Sequence, residues 1–172
     1  MEYPWYEFVD GTTDIQQGER IENCPIVIPP SNIGEEDEID IQIKDYNVVI
    51  LSQSCDLENN KIDIVLVAPY WTFDEIAQID KSLVSKKNKN NFRKGIIPGY
   101  HLLDKCDLDE LKSEHIIVDF KNIYGVDIDF LREYVQDKQR IRLLPPYREH
   151  LSQAFARHFM RVGLPSGIFE FD

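Results

Sequence analysis

Two apolar runs separated by a polar hinge mark the middle of the chain, in the stretch VVILSQSCDLENNKIDIVLVAPY. Residues 48–51 and 62–68 are rich in β-branched side chains and nearly continuous, which is typical of strands covered on both faces. Between them, DLENNK supplies residues that favour a turn. The pattern therefore predicts a hairpin whose mouth carries Cys55 and Asp56.

Alternation and helical spacing predict the remaining elements. Strands are expected over residues 24–28, 39–43, 100–103, 115–120 and 140–144, and helices over 72–84, near 130–135 and over 147–162. The last helix has an apolar face from Tyr147 to Phe159, so it should pack against the sheet. Strands followed by dispersed helices indicate an α+β fold, and 172 residues are enough for a single domain spanning 1–172.

The charge balance is strongly acidic, because 31 Asp and Glu outnumber 19 Lys and Arg and the formal net charge is -12. Such a surface repels phosphate overall, so any nucleic-acid contact must be local. Three cysteines without paired spacing predict a reducing, cytoplasmic setting. The longest apolar runs fall short of the roughly 18 residues of a membrane span, which predicts no membrane segment.

One segment reverses this charge. SKKNKNNFRKG brings together five cations with Phe92 as the only large apolar residue: Lys86, Lys87, Lys89, Arg93 and Lys94. This composition predicts a mobile polar loop that could hold RNA or DNA, with a merely solvated loop as the alternative.

The terminal helix carries charges on two faces. Arg148 projects between apolar positions and should pair with a carboxylate such as Asp56, forming a clasp between helix and hairpin; a functional contact is the alternative. His158 also falls on the apolar face, as a core histidine. On the outer face, a separate basic stripe is predicted from His150, Arg157 and Arg161.

The order of elements resembles the bacterial PemK/MazF toxin family, small SH3-like barrels with a C-terminal helix. GERI at residues 18–21, VVILS at 48–52 and VLVAPY at 65–70 look like the family's opening turn and two central strands. SEHIIVDF, DIDFLREYV, QRIRLL and PPYREHLSQAFARHFM are similar to its late strand, short helix, basic strand and last helix. The resemblance implies a barrel with insertions at about 29–38 and 72–95, and makes a homodimer possible.

The family's RNA-cleaving pair has no usual occupant here. It uses an arginine before the central strand and a threonine or serine after the next, where this chain has Tyr46-Asn47 with Lys44 nearby, and Tyr70-Trp71 with Thr72 one residue late. The resemblance therefore implies a barrel that has lost or relocated its ribonuclease site. SQSCDL together with the PPYREHLSQAFARHFMRVGLP segment also resembles an uncharacterised group of bacterial proteins.

Candidate catalytic residues are Cys55, Asp56 and Arg148. Cys55 would be a nucleophile only with a histidine nearby, and His101 and His115 are distant in sequence; more often such a Ser-Cys-Asp strand end holds a turn. A zinc site from the cysteines and His101 lacks paired spacing, so neither a metal nor a cofactor is expected.

The favoured function is a binding module for a protein or nucleic-acid partner in a toxin-antitoxin or phage-defence setting. The alternative is an enzyme, either a ribonuclease with displaced residues or a Cys55-dependent hydrolase.

Overall fold

The computed structural model describes residues 3–30, 41–109 and 111–160, which form eight strands and five α-helices. The strands are β1 (Tyr6–Val9), β2 (Glu19–Ile28), β3 (Gln42–Ile50), β4 (Ile64–Thr72), β5 (Tyr100–Leu103), β6 (Ile116–Asp119), β7 (Tyr124–Asp127) and β8 (Arg140–Leu143). The helices are α1 (Ser54–Glu58), α2 (Phe73–Ile79), α3 (Lys86–Arg93), α4 (Ile128–Val135) and α5 (Tyr147–Phe159), with a 3-10 turn over Lys81–Val84. The α+β class predicted from the sequence is confirmed.

The strands form one antiparallel sheet in the order β1-β8-β2-β3-β4-β6-β5, and β7 also pairs with β4. Strand β4 joins two parts of this sheet. Its residues 64–67 pair with β7, 67–69 with β3, and its last three residues with β6. The two end strands of this order, β1 and β5, do not pair with each other, so the sheet is not closed. Strand β4 connects the larger part of the sheet to the β5–β6 hairpin.

Three apolar clusters stabilise the fold, and α5 covers the first of them. Leu151 of α5 is fully buried among residues of β3, β4, β6 and β8, with Ala154 and Phe155 packed beside it. The predicted packing face of the helix is therefore confirmed over this part. Phe159 is 63% exposed, although its ring packs edge to face with that of Phe155. Residues 161–172, including Gly163 and Arg161, lie outside the described residues.

The predicted polar loop over residues 86–94 is wrong, because the segment forms helix α3. Ser85 caps this helix by accepting a hydrogen bond from the amide of Asn88, and Phe92 is buried in the third cluster with Ile76 and Ile117. One cap and one apolar anchor are sufficient here, although the remaining residues are polar. The insertion at 72–95 is thus helical almost throughout.

The predicted pairing of the two apolar runs is confirmed, because β3 and β4 are antiparallel neighbours. Their connection is not a simple turn, because it contains the short helix α1, which buried Leu57 fixes on the second apolar cluster. The chain turns after this helix, at Asn59 and Asn60.

The predicted half-buried strand at 39–43 is only partly correct. Strand β3 begins at Gln42, and the side chains of Ile41 and Ile43 are 62% and 65% exposed. Residues 42–45 pair with the end of β2, whereas β8 pairs only with residues 19 and 20 of β2. Among the described residues, this two-stranded arm has no third strand beside it. Ile39 lies outside the described residues.

The opening of β2 and strand β8 share a buried ionic cluster. Glu19 is fully buried, and its carboxylate accepts hydrogen bonds from Arg140 Nε at 2.8 Å and Arg142 Nη2 at 2.6 Å. The amide of Gln16 donates a further bond to Glu19 at 3.0 Å. Glu7 of β1 pairs with Arg142 Nη1 at 3.3 Å, so two carboxylates face the two arginines. The cluster connects strands that are far apart in sequence. No helix in the described part of the chain is long and apolar enough to cross a membrane.

Candidate functional site

Three of the four histidines line one open cleft of about 830 Å³ between β5, α3 and α5. We call it the histidine cleft and define it by these residues: Trp5, Arg93, Lys94, His101, Asp104, His115, His150, Gln153 and Arg157. The residues come from five separate segments of the chain. Histidine, carboxylate and cations on one wall are groups that carry proton transfer and anion binding in enzymes.

The register of the β5–β6 hairpin brings Asp104 and His115 together. Leu103 pairs with Ile116, so the next residues outward, Asp104 and His115, face each other across the hairpin. The distance from Asp104 Oδ1 to His115 Nε2 is 3.0 Å. A carboxylate at one ring nitrogen fixes the orientation and tautomer of the imidazole and leaves the other nitrogen for a ligand. The pair therefore has the geometry of an oriented acid or base.

His101 has a different environment, although it belongs to the same hairpin. Its ring stacks on Phe120, with centroids 6.4 Å apart. Burial lowers the pKa of His101 to about 4, and the nearby His150 and Arg157 act in the same direction. His101 is therefore neutral at pH 7 and can donate or accept a hydrogen bond without carrying charge.

Helix α5 supplies three further residues to the cleft through its helical spacing. His150, Gln153 and Arg157 lie three and four residues apart, which places them on one face of the helix. The opposite face, with Leu151 and Phe155, packs on the core. The predicted basic stripe is confirmed for His150 and Arg157, and the structure directs it toward the cleft.

Helix α3 divides the five cations predicted to act together. Arg93 and Lys94 line the histidine cleft, because buried Phe92 fixes the C-terminal end of the helix beside it. The other three, Lys86, Lys87 and Lys89, are exposed and are not part of the cleft wall. The ammonium of Lys89 instead lies 5.1 Å from the ring centre of Phe73.

One member of an aromatic pair contributes to the cleft wall. Trp5 stacks on Tyr147, with ring centroids 3.6 Å apart and planes 9° from parallel. Trp5 lines the cleft. An indole held rigidly against a second ring is a suitable surface for a planar group such as a nucleic-acid base.

The candidate pair Cys55 and Asp56 lies elsewhere, on α1. Cys55 is exposed, and its Sγ is 3.7 Å from Gln53 and 3.8 Å from Asp56. The carboxylate of Asp56 lies 3.9 Å from the ammonium of Lys61, and Arg148 pairs with Glu149 instead of Asp56. The contacts of both side chains are therefore with nearby residues of the same connection, as expected for a structural role at the end of a strand.

Arg148 has a local partner as well, so the predicted clasp is wrong. Its guanidinium pairs with the adjacent Glu149 at 3.1 Å, and both side chains are partly exposed. The stem of Arg148 lies beside Gly18, at the start of β2. A carboxylate in the same helical turn reaches the guanidinium without crossing the fold, which explains the choice of partner.

Other candidate chemistry has structural roles. Thr72, one residue past the family's usual position, caps α2 in a reciprocal capping box with Glu75. Cys24 and Cys106 are buried free thiols, and burial raises the pKa of Cys24 to about 11. Within residues 3–30, 41–109 and 111–160, no group of three or more His, Cys, Asp or Glu could hold a metal ion.

These features define an α+β protein with an open cleft that carries histidines and cations. No family model, curated protein or solved structure matches the chain. Sequence reasoning did not select Trp5 or the Asp104–His115 pair for the site. The register of two adjacent strands was the signal that could have found the latter.

Proposed function

We propose that the chain is a PemK/MazF-like barrel protein that binds a single-stranded RNA segment in the histidine cleft. The observation that carries this proposal is the convergence of Arg93, Lys94 and Arg157 on one cleft with a rigid Trp5. Cations bind the phosphates, and the stacked indole offers a surface for a base.

The net charge of -12 makes this attraction local rather than general. The antiparallel neighbours β8-β2-β3-β4, with α4 directly before β8, are compatible with an SH3-like barrel. The family resemblance supports a bacterial cytoplasmic setting in toxin-antitoxin or phage-defence systems. It also supports the absence of a cofactor in this function.

The test compares two triple variants of equal charge. Arg93→Ser/Lys94→Ser/Arg157→Ser removes the cations of the cleft, and Lys86→Ser/Lys87→Ser/Lys89→Ser removes three exposed cations of α3 outside it. Fluorescence anisotropy with a labelled 12-nucleotide RNA measures the affinity at several salt concentrations. We expect the first variant to lose binding about tenfold or more and the salt slope to fall by about 2, at roughly 0.7 per phosphate contact.

The α3 variant should retain most of its affinity. Equal losses in the two variants would contradict a site in the cleft, and absence of binding by the parent protein would contradict the proposal itself.

A second candidate function is metal-independent RNA cleavage, favoured by the Asp104–His115 pair. In this reaction, a base removes the proton of a ribose 2'-hydroxyl, whose oxygen attacks the adjacent phosphorus. The bond to the 5' oxygen breaks as an acid protonates that oxygen, leaving a 2',3'-cyclic phosphate and a 5'-hydroxyl. We assign the base to His115, the acid to His150, and the charge stabilisation to Arg157.

This reaction is tested on the same RNA in EDTA, by gel separation of the products. We expect cuts with 2',3'-cyclic ends that disappear in His115→Ala and weaken in Asp104→Asn, where Asp104 acts as a positioning residue. If the protein binds the RNA but does not cut it at any pH tested from 5 to 8, the cleavage proposal is contradicted and the binding proposal stands.

A further inference from the structure

A second site is indicated by Arg20, which is 5% exposed on strand β2. Arg20 Nη1 donates to Ser113 Oγ at 2.7 Å and Nη2 donates to the Tyr70 hydroxyl at 3.4 Å. Its buried Nε has no hydrogen-bond partner. Among the described residues, no carboxylate approaches Arg20 closely enough for an ion pair, so its charge is buried without a counter-ion.

The rings around Arg20 offset this burial only in part. The guanidinium carbon lies 4.7 Å from the ring centre of Tyr70 and 5.8 Å from that of Tyr6. Ring faces attract a cation, but they do not replace the hydration of a full charge. A partner for this charge is therefore expected from outside the described chain.

A cavity of about 370 Å³ adjoins this arginine. The wall includes Arg20, Glu22, Leu111, Tyr134 and Lys138, and we call it the Arg20 cavity. The ammonium of Lys138 lies 3.2 Å from the ring centre of Tyr134, and the hydroxyl of Tyr134 donates to the carbonyl of Asn23. Arg20, Tyr134 and Lys138 thus line one cavity.

The charges of the wall favour an anion. Arg140 also contributes to it, but Glu19 already neutralises that arginine. Arg20 and Lys138 are in no ion pair within the described part of the chain. Glu22, the acidic residue of the wall, is exposed and remains hydrated. Lys138 is exposed as well, so Arg20 is the buried cation of the wall that forms no ion pair with the described residues.

We infer that the Arg20 cavity binds a small organic phosphate, namely a phosphate monoester that carries a compact planar group. A phosphate monoester holds a charge of about −1.5 to −2 at neutral pH, which two cations match better than a carboxylate does. Leu111 supplies the contact for the planar group, because the Tyr134 ring already contacts Phe130 and the ammonium of Lys138. The volume lies within the range of about 300–1,000 Å³ found for small-molecule sites.

Isothermal titration calorimetry with three probes tests the inference. Phenyl phosphate, benzoate and inorganic phosphate separate the contributions of the phosphate and of the ring. We expect saturable binding of phenyl phosphate, at least tenfold tighter than either of the others. Equal binding of benzoate would overturn the phosphate assignment, equal binding of inorganic phosphate would overturn the planar group, and no saturable binding would overturn the site.

Variants place the ligand in the cavity. Arg20→Met should weaken phenyl phosphate binding tenfold or more and Lys138→Met several-fold, while the exposed control Lys81→Met should bind as the parent does. Unchanged affinity in Arg20→Met would contradict the inference. In ¹⁵N-arginine-labelled parent protein, the Nε–H resonance of Arg20, assigned with Arg20→Lys, should shift on titration. An unmoved resonance at saturation would exclude contact with Arg20 even if Arg20→Met does not fold.

Discussion

Glu19 and Arg20 are neighbours in strand β2, both are buried, and they lie on opposite faces of the sheet because side chains alternate along a strand. The carboxylate of Glu19 receives bonds from the two arginines of β8 and from the amide of Gln16. Within the described part of the chain, the guanidinium of Arg20 has one close hydrogen bond, to Ser113, and a long one to Tyr70.

This difference separates two uses of a buried charge. Around Glu19, the opposite charges are satisfied within the fold, so the cluster needs nothing from solution and serves the structure. Around Arg20, no carboxylate of the described residues forms an ion pair, and the side chain lines a cavity that a ligand can enter. Of these two adjacent residues, Glu19 has its charge balanced by the fold itself, whereas Arg20 is inferred to need a ligand for the same purpose.

The largest expected effect comes from Glu19→Gln. The substitution keeps the shape of the side chain but leaves Arg140 and Arg142 without their shared carboxylate. We expect the free energy of unfolding to fall by about 3–5 kcal/mol, as for other buried pairs broken from one side. Urea denaturation measures it, with the exposed Glu133→Gln as control, expected within about 0.5 kcal/mol of the parent. A loss below about 1 kcal/mol would show that the cluster is not a structural centre.

His101 shows a third way to bury a titratable group, which is to keep it neutral. Its pKa is about 4 in the folded protein and near 6.5 when unfolded, so the unfolded chain binds the proton more readily. The stability that this provides is complete above pH 6.5 and is lost as the pH falls toward 4. Between pH 7 and pH 5, we expect the parent to lose about 2 kcal/mol more than His101→Gln does, by denaturation at each pH. Identical pH dependence would contradict a depressed pKa.

Arg20→Met should have little effect on stability in phosphate-free buffer. Loss of the Ser113 hydrogen bond and of the ring contacts destabilises the fold, whereas removal of an uncompensated charge stabilises it. We expect a net change of about 1 kcal/mol or less in either direction, measured beside Glu19→Gln. A loss as large as that of Glu19→Gln would mean that Arg20 has an internal partner and would erase the contrast between the two regions.

The smallest effect is expected from Arg148→Met. Its partner Glu149 is next to it in sequence and both side chains are partly exposed, so the pair contributes on the order of 0–0.5 kcal/mol. The double variant with Asp56→Asn should show simple additivity, because Asp56 pairs with Lys61. A coupling energy above about 1 kcal/mol between the two substitutions would indicate that Arg148 and Asp56 do interact.

Elements with a strong local pattern could be predicted from the sequence, and short ones could not. The spacing of apolar residues predicted α4, β8 and α5 close to their bounds. Strands β1 and β7 were missed, because YEFV and YGVD are too short for alternation to be recognised, and each pairs with a strand far away in the sequence. Helix α3 was missed because its only large apolar residue is Phe92.

The histidine cleft illustrates a harder limit. Arg93, Lys94, His150 and Arg157 were recognisable as basic features, since each lies in a local charge pattern. The sequence did not indicate that these residues line the same cleft, because that depends on how α3 and α5 pack on the sheet. Only the Asp104–His115 pair was accessible in principle, through the register of one hairpin.

The pairing of β1 with β8 has a consequence for synthesis. Tyr6 is paired with Leu143, so the first strand leaves the ribosome long before its partner exists. At roughly 5–20 residues per second, that delay is on the order of ten seconds. During this time β1 has an unfilled hydrogen-bonding edge, and the carboxylate at position 19 waits for the same late segment, which carries both of its arginines. Translation of residues 140–143 therefore completes a sheet edge and neutralises a charge in one step, and a nascent chain halted before them is the form most exposed to proteases and chaperones.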